Sequence, residues 1–114
     1  LALGLIDDPQ FGPVVMVGAG GVLVELLRDA RYGLAPFGPK TARRLLDGLA
    51  VRPLLDGVRG APPADIDAVA LAIARFSVLA ADLADVIGEC DVNPLIAGPG
   101  GAVAVDALII PKQA

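Results

Sequence analysis

Apolar positions along this chain follow two periods, and the switches between them mark its elements. Short apolar or alternating runs predict strands at 1–6, 14–17 and 30–37. Asp7-Asp8-Pro9-Gln10-Phe11-Gly12-Pro13 separates the first two and is dense in turn-forming residues. Residues 22–29 stay ambiguous, because Leu23, Leu26 and Leu27 have helical spacing whereas Val22, Val24 and Glu25 suit a strand. A helix is expected over 39–49: Pro39 suits the first turn, and Ala42, Leu45, Leu46 and Leu49 share one face. Residues 52–60 read as an irregular connector. Ala61-Pro62-Pro63 stops anything upstream, and Asp65 is placed to cap a longer helix over 65–84. Its core positions are Ile66, Val69, Ile73, Phe76, Ala80 and Leu83; Leu71 and Val78 form a second apolar edge, which predicts a helix wedged between layers.

The last third of the chain carries the chemistry. Residues 91–97 and 102–109 read as two strands joined by Gly98-Pro99-Gly100-Gly101. A simple antiparallel hairpin on that turn sets Ala97 opposite Ala102 and Asn93 opposite Asp106, and strand periodicity puts Asp91 on the face of Asn93. Opposed side chains have Cβ atoms about 4.5–5.5 Å apart, close enough for two oxygen donors to share one cation. Carboxylate and amide oxygens are the donors that Mg²⁺ accepts, alongside water and substrate phosphates. Ala102 and Ala104, expected on the same face, would leave room for those phosphates. The bland alternative is a surface hairpin with a polar outer side.

Composition narrows the function classes. With 114 residues, 55% hydrophobic and 19% charged, the chain suits one compact domain and is too apolar for disorder. Arg75, Asp82 and Asp85 interrupt its longest apolar stretches, so no transmembrane segment is expected. The excess of apolar residues implies buried elements, some of them facing a partner. The chain opens at Leu1 in an apolar run without a basic leader, which reads as a piece of a longer protein rather than a secretory signal. A net charge of −4 with three Phe and one Tyr argues against nucleic-acid binding. Absence of His excludes an imidazole metal site, a Ser-His-Asp triad or a phosphohistidine within the chain. Cys90 is the lone cysteine, read as a buried thiol in a strand, and points to a cytoplasmic setting.

Three further features have both a chemical and a structural explanation. Gly18-Ala19-Gly20-Gly21 could let backbone approach phosphates, but Leu23 replaces the third glycine of a dinucleotide fingerprint and no P-loop Lys follows. A tight connection between strands explains it as well. Glu25 is a candidate site carboxylate or a partner for Arg28 or Arg31, and Arg59 a candidate for a phosphate or a nearby Asp. Lys40, Arg43 and Arg44 form a basic stripe that reads as a solvated helix face.

Taken in order, several motifs resemble the ADP-forming acyl-CoA synthetases, and within them the C-terminal half of the ATP-grasp, or β-subunit-type, domain. They are Asp7-Asp8-Pro9-Gln10-Phe11-Gly12-Pro13, Gly18-Ala19-Gly20-Gly21-Val22 with Glu25 and Asp29, Gly57-Val58-Arg59-Gly60, Asp91-Val92-Asn93-Pro94-Leu95 and Val103-Ala104-Val105-Asp106-Ala107. Succinyl-CoA synthetase is a more distant relative. The resemblance implies an α+β two-layer sandwich, a mainly antiparallel sheet of about four to six strands covered by the two helices. It implies ATP or ADP clamped between two lobes, with Mg²⁺ on the phosphates. Asn93 and Asp106 would be Mg²⁺ ligands, with Asp91 a third ligand or a participant in phosphoryl transfer. Gly20, Gly21 and Glu25 would be nucleotide contacts. CoA, the acyl group and a phosphohistidine would be bound by parts outside this chain: the other ATP-grasp lobe and a CoA-binding domain or subunit. A homo-oligomer is compatible with this; no nucleic-acid or membrane partner is expected. A second implication is a non-catalytic sensor module fused to an acetyltransferase.

Overall fold

The computed structural model describes residues 1–20, 29–57 and 60–113. In chain order the elements are strands β1 (Ala2–Asp8), β2 (Gly12–Gly18) and β3 (Ala30–Leu34), helix α1 (Pro39–Asp47), a 3-10 turn at Arg52–Asp56 and helix α2 (Ile66–Asp82). Strands β4 (Ile87–Val92), β5 (Leu95–Gly98), β6 (Gly101–Ala104) and β7 (Ala107–Pro111) follow. A five-stranded antiparallel sheet runs β3-β2-β1-β4-β7, and β5 and β6 form a separate two-stranded ribbon. The β1–β2 turn is closed by Asp8, whose Oδ1 accepts the N–H of Gln10 at 2.8 Å and of Phe11 at 2.9 Å.

Register explains which face is buried. Leu3 stands opposite both Val17 and Val92, and Leu5 opposite both Val15 and Cys90. These six share one face and pack against Val69, Ile73, Phe76 and Ala80 of α2 and against Ala42, Leu46 and Leu49 in and after α1. Asp65 caps α2 as expected, its Oδ1 accepting the Ala68 N–H at 3.1 Å. Its own N–H bonds Gly98, tying the helix start to the β5–β6 ribbon. Ser77, fully buried, donates to the Ala74 carbonyl at 2.6 Å and accepts the Phe37 N–H at 3.0 Å, which docks the β3–α1 connection on α2.

The two-layer arrangement agrees with the sequence, but several boundaries move. The third strand stops at Leu34 rather than 37, before Pro36. The first helix ends at Asp47, where the N–H groups of Gly48 and Leu49 reach carbonyls three residues back, and the second at Asp82. Leu83 therefore lies beyond the helix and is 38% exposed. Nor is α2 wedged between layers: one side meets the sheet, another meets α1, and Leu71 and Val78 face outward. No helix among the described residues is long and apolar enough to cross a membrane.

The two expected strands of the final hairpin are each broken in the middle. They become β4 then β5, and β6 then β7, with interruptions at Asn93-Pro94 and Val105-Asp106. Pro94 has no N–H to give a ladder, so a continuous strand could not pass through it fully bonded. The pairing itself survives on both sides of the break, with Ala97 opposite Ala102 and Val92 opposite Ala107.

Candidate functional site

The sheet face turned away from the helices is open, and the candidate residues lie on it. Along β4, Cys90 and Val92 are buried whereas Glu89 and Asp91 are exposed, and Asn93 continues the exposed set. Register places Asp91 between Gly4 of β1 and Leu108 of β7. The Asn93 N–H donates to the Asp106 carbonyl at 3.1 Å, so these two residues oppose each other as the hairpin predicted.

A bulge sets this end of the sheet apart. Leu3 pairs with Val92, yet Leu1 exchanges backbone bonds with Leu95, at 2.7 Å and 3.0 Å. Ala2 thus faces two residues, Asn93 and Pro94, where a regular ladder would offer one. The extra residue inverts the alternation, so Leu95 is buried on the same side as Val92. Ala102 and Ala104 follow Leu95: they line a cavity of about 340 Å³ with Leu3, Phe76 and Val92 under α2. The expectation that they stand beside Asn93 and Asp106 is therefore corrected. Beside the three polar residues stand Gly4, paired with Asp91 and packed by Met16 of β2, and the buried Ala2 opposite the bulge, a pairing across strands distant in sequence that the local pattern could not reveal.

Asp91, Asn93 and Asp106 are all exposed, and among the described residues none of their side chains is taken up by a hydrogen bond or ion pair. Their oxygens are free to meet a hard cation, and the donor set of two carboxylates and an amide suits Mg²⁺. Among the described residues no three His, Cys, Asp or Glu side chains gather into a metal site. Cys90, behind Asp91 on the buried face, has its thiol pKa raised, first by burial and second by the Asp91 charge.

Gly20 comes to the same end of the sheet. Its φ of +87° favours glycine, and a Cβ there would stand 3.1 Å from the Leu1 carbonyl carbon, beside the strand that faces the bulge. Gly21, Glu25 and Arg59 lie outside the described residues. The basic stripe is a helix surface: Arg43 reaches Asp47 at 3.4 Å and Asp67 at 3.2 Å, and Arg44 reaches Thr41.

An ATP-grasp domain profile matches residues 1–110. The chain belongs to the ATP-grasp family. This ATP-grasp chain is 42% identical over 112 residues to the β subunit of an ADP-forming acetate–CoA ligase II of Pyrococcus furiosus, covering 96% of the chain and 48% of the relative. It is also similar to the dinucleotide-forming acetyl-coenzyme A synthetase 1 of Ca. Korarchaeum cryptofilum. One solved structure of that enzyme, in complex with coenzyme A and acetyl-coenzyme A and with a phosphorylated phosphohistidine segment, superposes with a TM-score of 0.92 at 43% identity, over 98% of this chain and half of that one. Another, in complex with coenzyme A and Mg-AMPPCP and with the phosphohistidine segment pointing towards the nucleotide-binding site, gives 0.90 at 42% identity, over 97% and 52%. The chain thus spans about half the length of the relatives it matches.

Proposed function

We propose that this chain supplies the Mg²⁺–nucleotide half-site of an ADP-forming acyl-CoA synthetase, which passes a phosphoryl group between ATP or ADP and a phosphohistidine carried elsewhere in the full-length protein. The observation that carries the reading is the backbone register that sets Asp91 and Asn93 on the exposed side of β4 and its extension, with Asn93 opposite Asp106, all three exposed and, among the described residues, without a side-chain partner. Support comes from the relatives, whose structures hold Mg-AMPPCP, coenzyme A and a phosphohistidine segment on a fold that superposes on this one.

In this reading Asn93 and Asp106 hold Mg²⁺, and Asp91 is a further ligand or orients the phosphate in flight. Mg²⁺ supplies neutralisation of the charge on the transferring phosphoryl group. The chain's own part is positional. The ladder fixes Asn93 and Asp106 across from each other before any ligand arrives, so little reorganisation is needed at the moment of transfer. Gly4 pairs with Asp91 on the neighbouring strand, and Gly20 brings bare backbone to the margin of the site. With Gly21 and Glu25, Gly20 would contact the nucleotide. Coenzyme A, the acyl acid and the histidine would be presented by the rest of the protein, either the other lobe or a separate subunit.

The test is phosphoryl transfer by the full-length protein. Incubated with an acyl-CoA, ADP, phosphate and Mg²⁺, it should form ATP, and chelation of the metal should abolish the reaction. A full-length protein that makes no ATP from any acyl-CoA, or makes it equally well without a divalent cation, would contradict the proposal.

A further inference from the structure

Asp29 is only 5% exposed, yet it is a carboxylate with no cationic partner among the described residues. Its Oδ1 accepts the Ala50 N–H at 2.7 Å and its Oδ2 the Val51 N–H at 3.0 Å. Its own carbonyl accepts the Ala19 N–H at 3.0 Å. A buried carboxylate is tolerated only where hydrogen bonds replace its water, and bonds donated to a charged acceptor are short and strong. Asp29 therefore holds fixed two segments remote in sequence.

Both segments lead towards the proposed nucleotide end of the sheet. Ala19 adjoins Gly20, which rests against Leu1. Ala50 and Val51 open the 3-10 turn at Arg52–Asp56, which runs into Gly57, where φ is +94° and a Cβ would strike the Ala61 carbonyl oxygen. Ala19, Val51, Leu54 and Leu55 meet Leu1 and Leu95 around a cavity of about 230 Å³. Leu95 is the first residue after the Asn93-Pro94 bulge. The Ala19-Gly20 backbone, the 3-10 turn and the residue after the bulge thus meet, and Asp29 is the buried carboxylate that ties the first to the second.

We propose that Asp29 is a positioning residue, acting through backbone to hold the Ala19-Gly20 backbone and the Arg52–Asp56 turn in place against Leu1 and Leu95, at the end of the sheet that carries Asn93, so that nucleotide affinity depends on it. This rests on the nucleotide reading of that end of the sheet. Asp29→Asn keeps the size but turns an amide N–H towards one of the two backbone donors. In the full-length protein it should raise KM for ADP about tenfold, the loss expected for one hydrogen bond to a charged group, while kcat stays as in the wild type. A second readout needs no variant: saturating Mg·ADP should slow hydrogen exchange at the Ala50 and Val51 amides of the wild-type protein. If Asp29→Asn lowers stability without moving KM, or if exchange at Ala50 and Val51 ignores bound Mg·ADP, the positioning role is overturned while the nucleotide site stands. If the wild-type protein binds no Mg·ADP, both are overturned together.

Discussion

Asn93 and Cys90 sit three residues apart on β4 and its extension, on opposite faces of one sheet, and behave as opposites. Asn93 is exposed and its amide has no partner among the described residues, so Asn93→Ala should leave stability almost unchanged and weaken Mg²⁺-dependent turnover. Raising Mg²⁺ should recover part of the loss if ligation is its whole role, which a Mg²⁺ titration of kcat will read. Cys90 is 4% exposed and its thiol is held above the usual range by burial and then by Asp91. It should resist alkylation in the native protein at pH 8 and react once urea unfolds the chain. Asp47 offers a pH test. The Arg52 hydrogen bond, then the charges of Arg43 and Arg52, hold its carboxyl below the usual range. A carboxyl pKa lowered on folding stabilises above the unfolded value and loses that contribution as pH falls through the folded one. Asp47→Asn should therefore reduce stability at neutral pH and flatten its fall below about pH 4, measured by urea unfolding across pH. The effect should be modest, since Asp47 is half exposed and water screens such pairs.

At the scale of elements, the capped helix and the broken hairpin show what a sequence can and cannot convey. The α2 cap was legible because Asp65 acts locally, two Pro upstream and an apolar period downstream. Removing it in Asp65→Ala should cost about 1 kcal/mol of unfolding free energy, read from the urea midpoint. Opposition of Asn93 and Asp106 was legible because the Gly98–Gly101 turn fixes the register of everything behind it. The bulge was not. It exists only relative to β1, where Leu1 meets Leu95 while Leu3 meets Val92, and nothing near Pro94 in the sequence announces which strand will be its neighbour. Strict alternation therefore sets Ala102 and Ala104 beside Asn93 and Asp106, whereas the fold turns them into the cavity under α2. The end of α1 differs too, as the bonding tightens to three-residue spacing at Gly48 and Leu49 while the apolar period still runs on to Leu49.

For the molecule as a whole, the open sheet face is the feature that a single layer of helices leaves unresolved. Phe11, Tyr32 and Leu34 are exposed around a shallow cavity of about 380 Å³, with Ile6 and Val14 at its base. A two-layer sandwich with an apolar outer face, half the length of its relatives, is what one side of a two-lobed clamp should look like. The isolated 114-residue chain should accordingly bind Mg·ADP far more weakly than the full-length protein, because half of the enclosing surface is missing and the ligand must be ordered from one side. Calorimetry giving micromolar affinity for the isolated chain would argue against a shared site. The most direct measurement is the rate of phosphoryl transfer by full-length Asp106→Asn, beside Arg44→Ala as a control on the solvated face of α1. Asp106→Asn keeps the size of the side chain and removes one charge from the proposed cation site. It should slow transfer by about 10²–10³-fold, as for other losses of a preorganised electrostatic contact, with folding intact and Arg44→Ala unaffected. Wild-type turnover in Asp106→Asn would contradict the account and leave the hairpin a purely structural one.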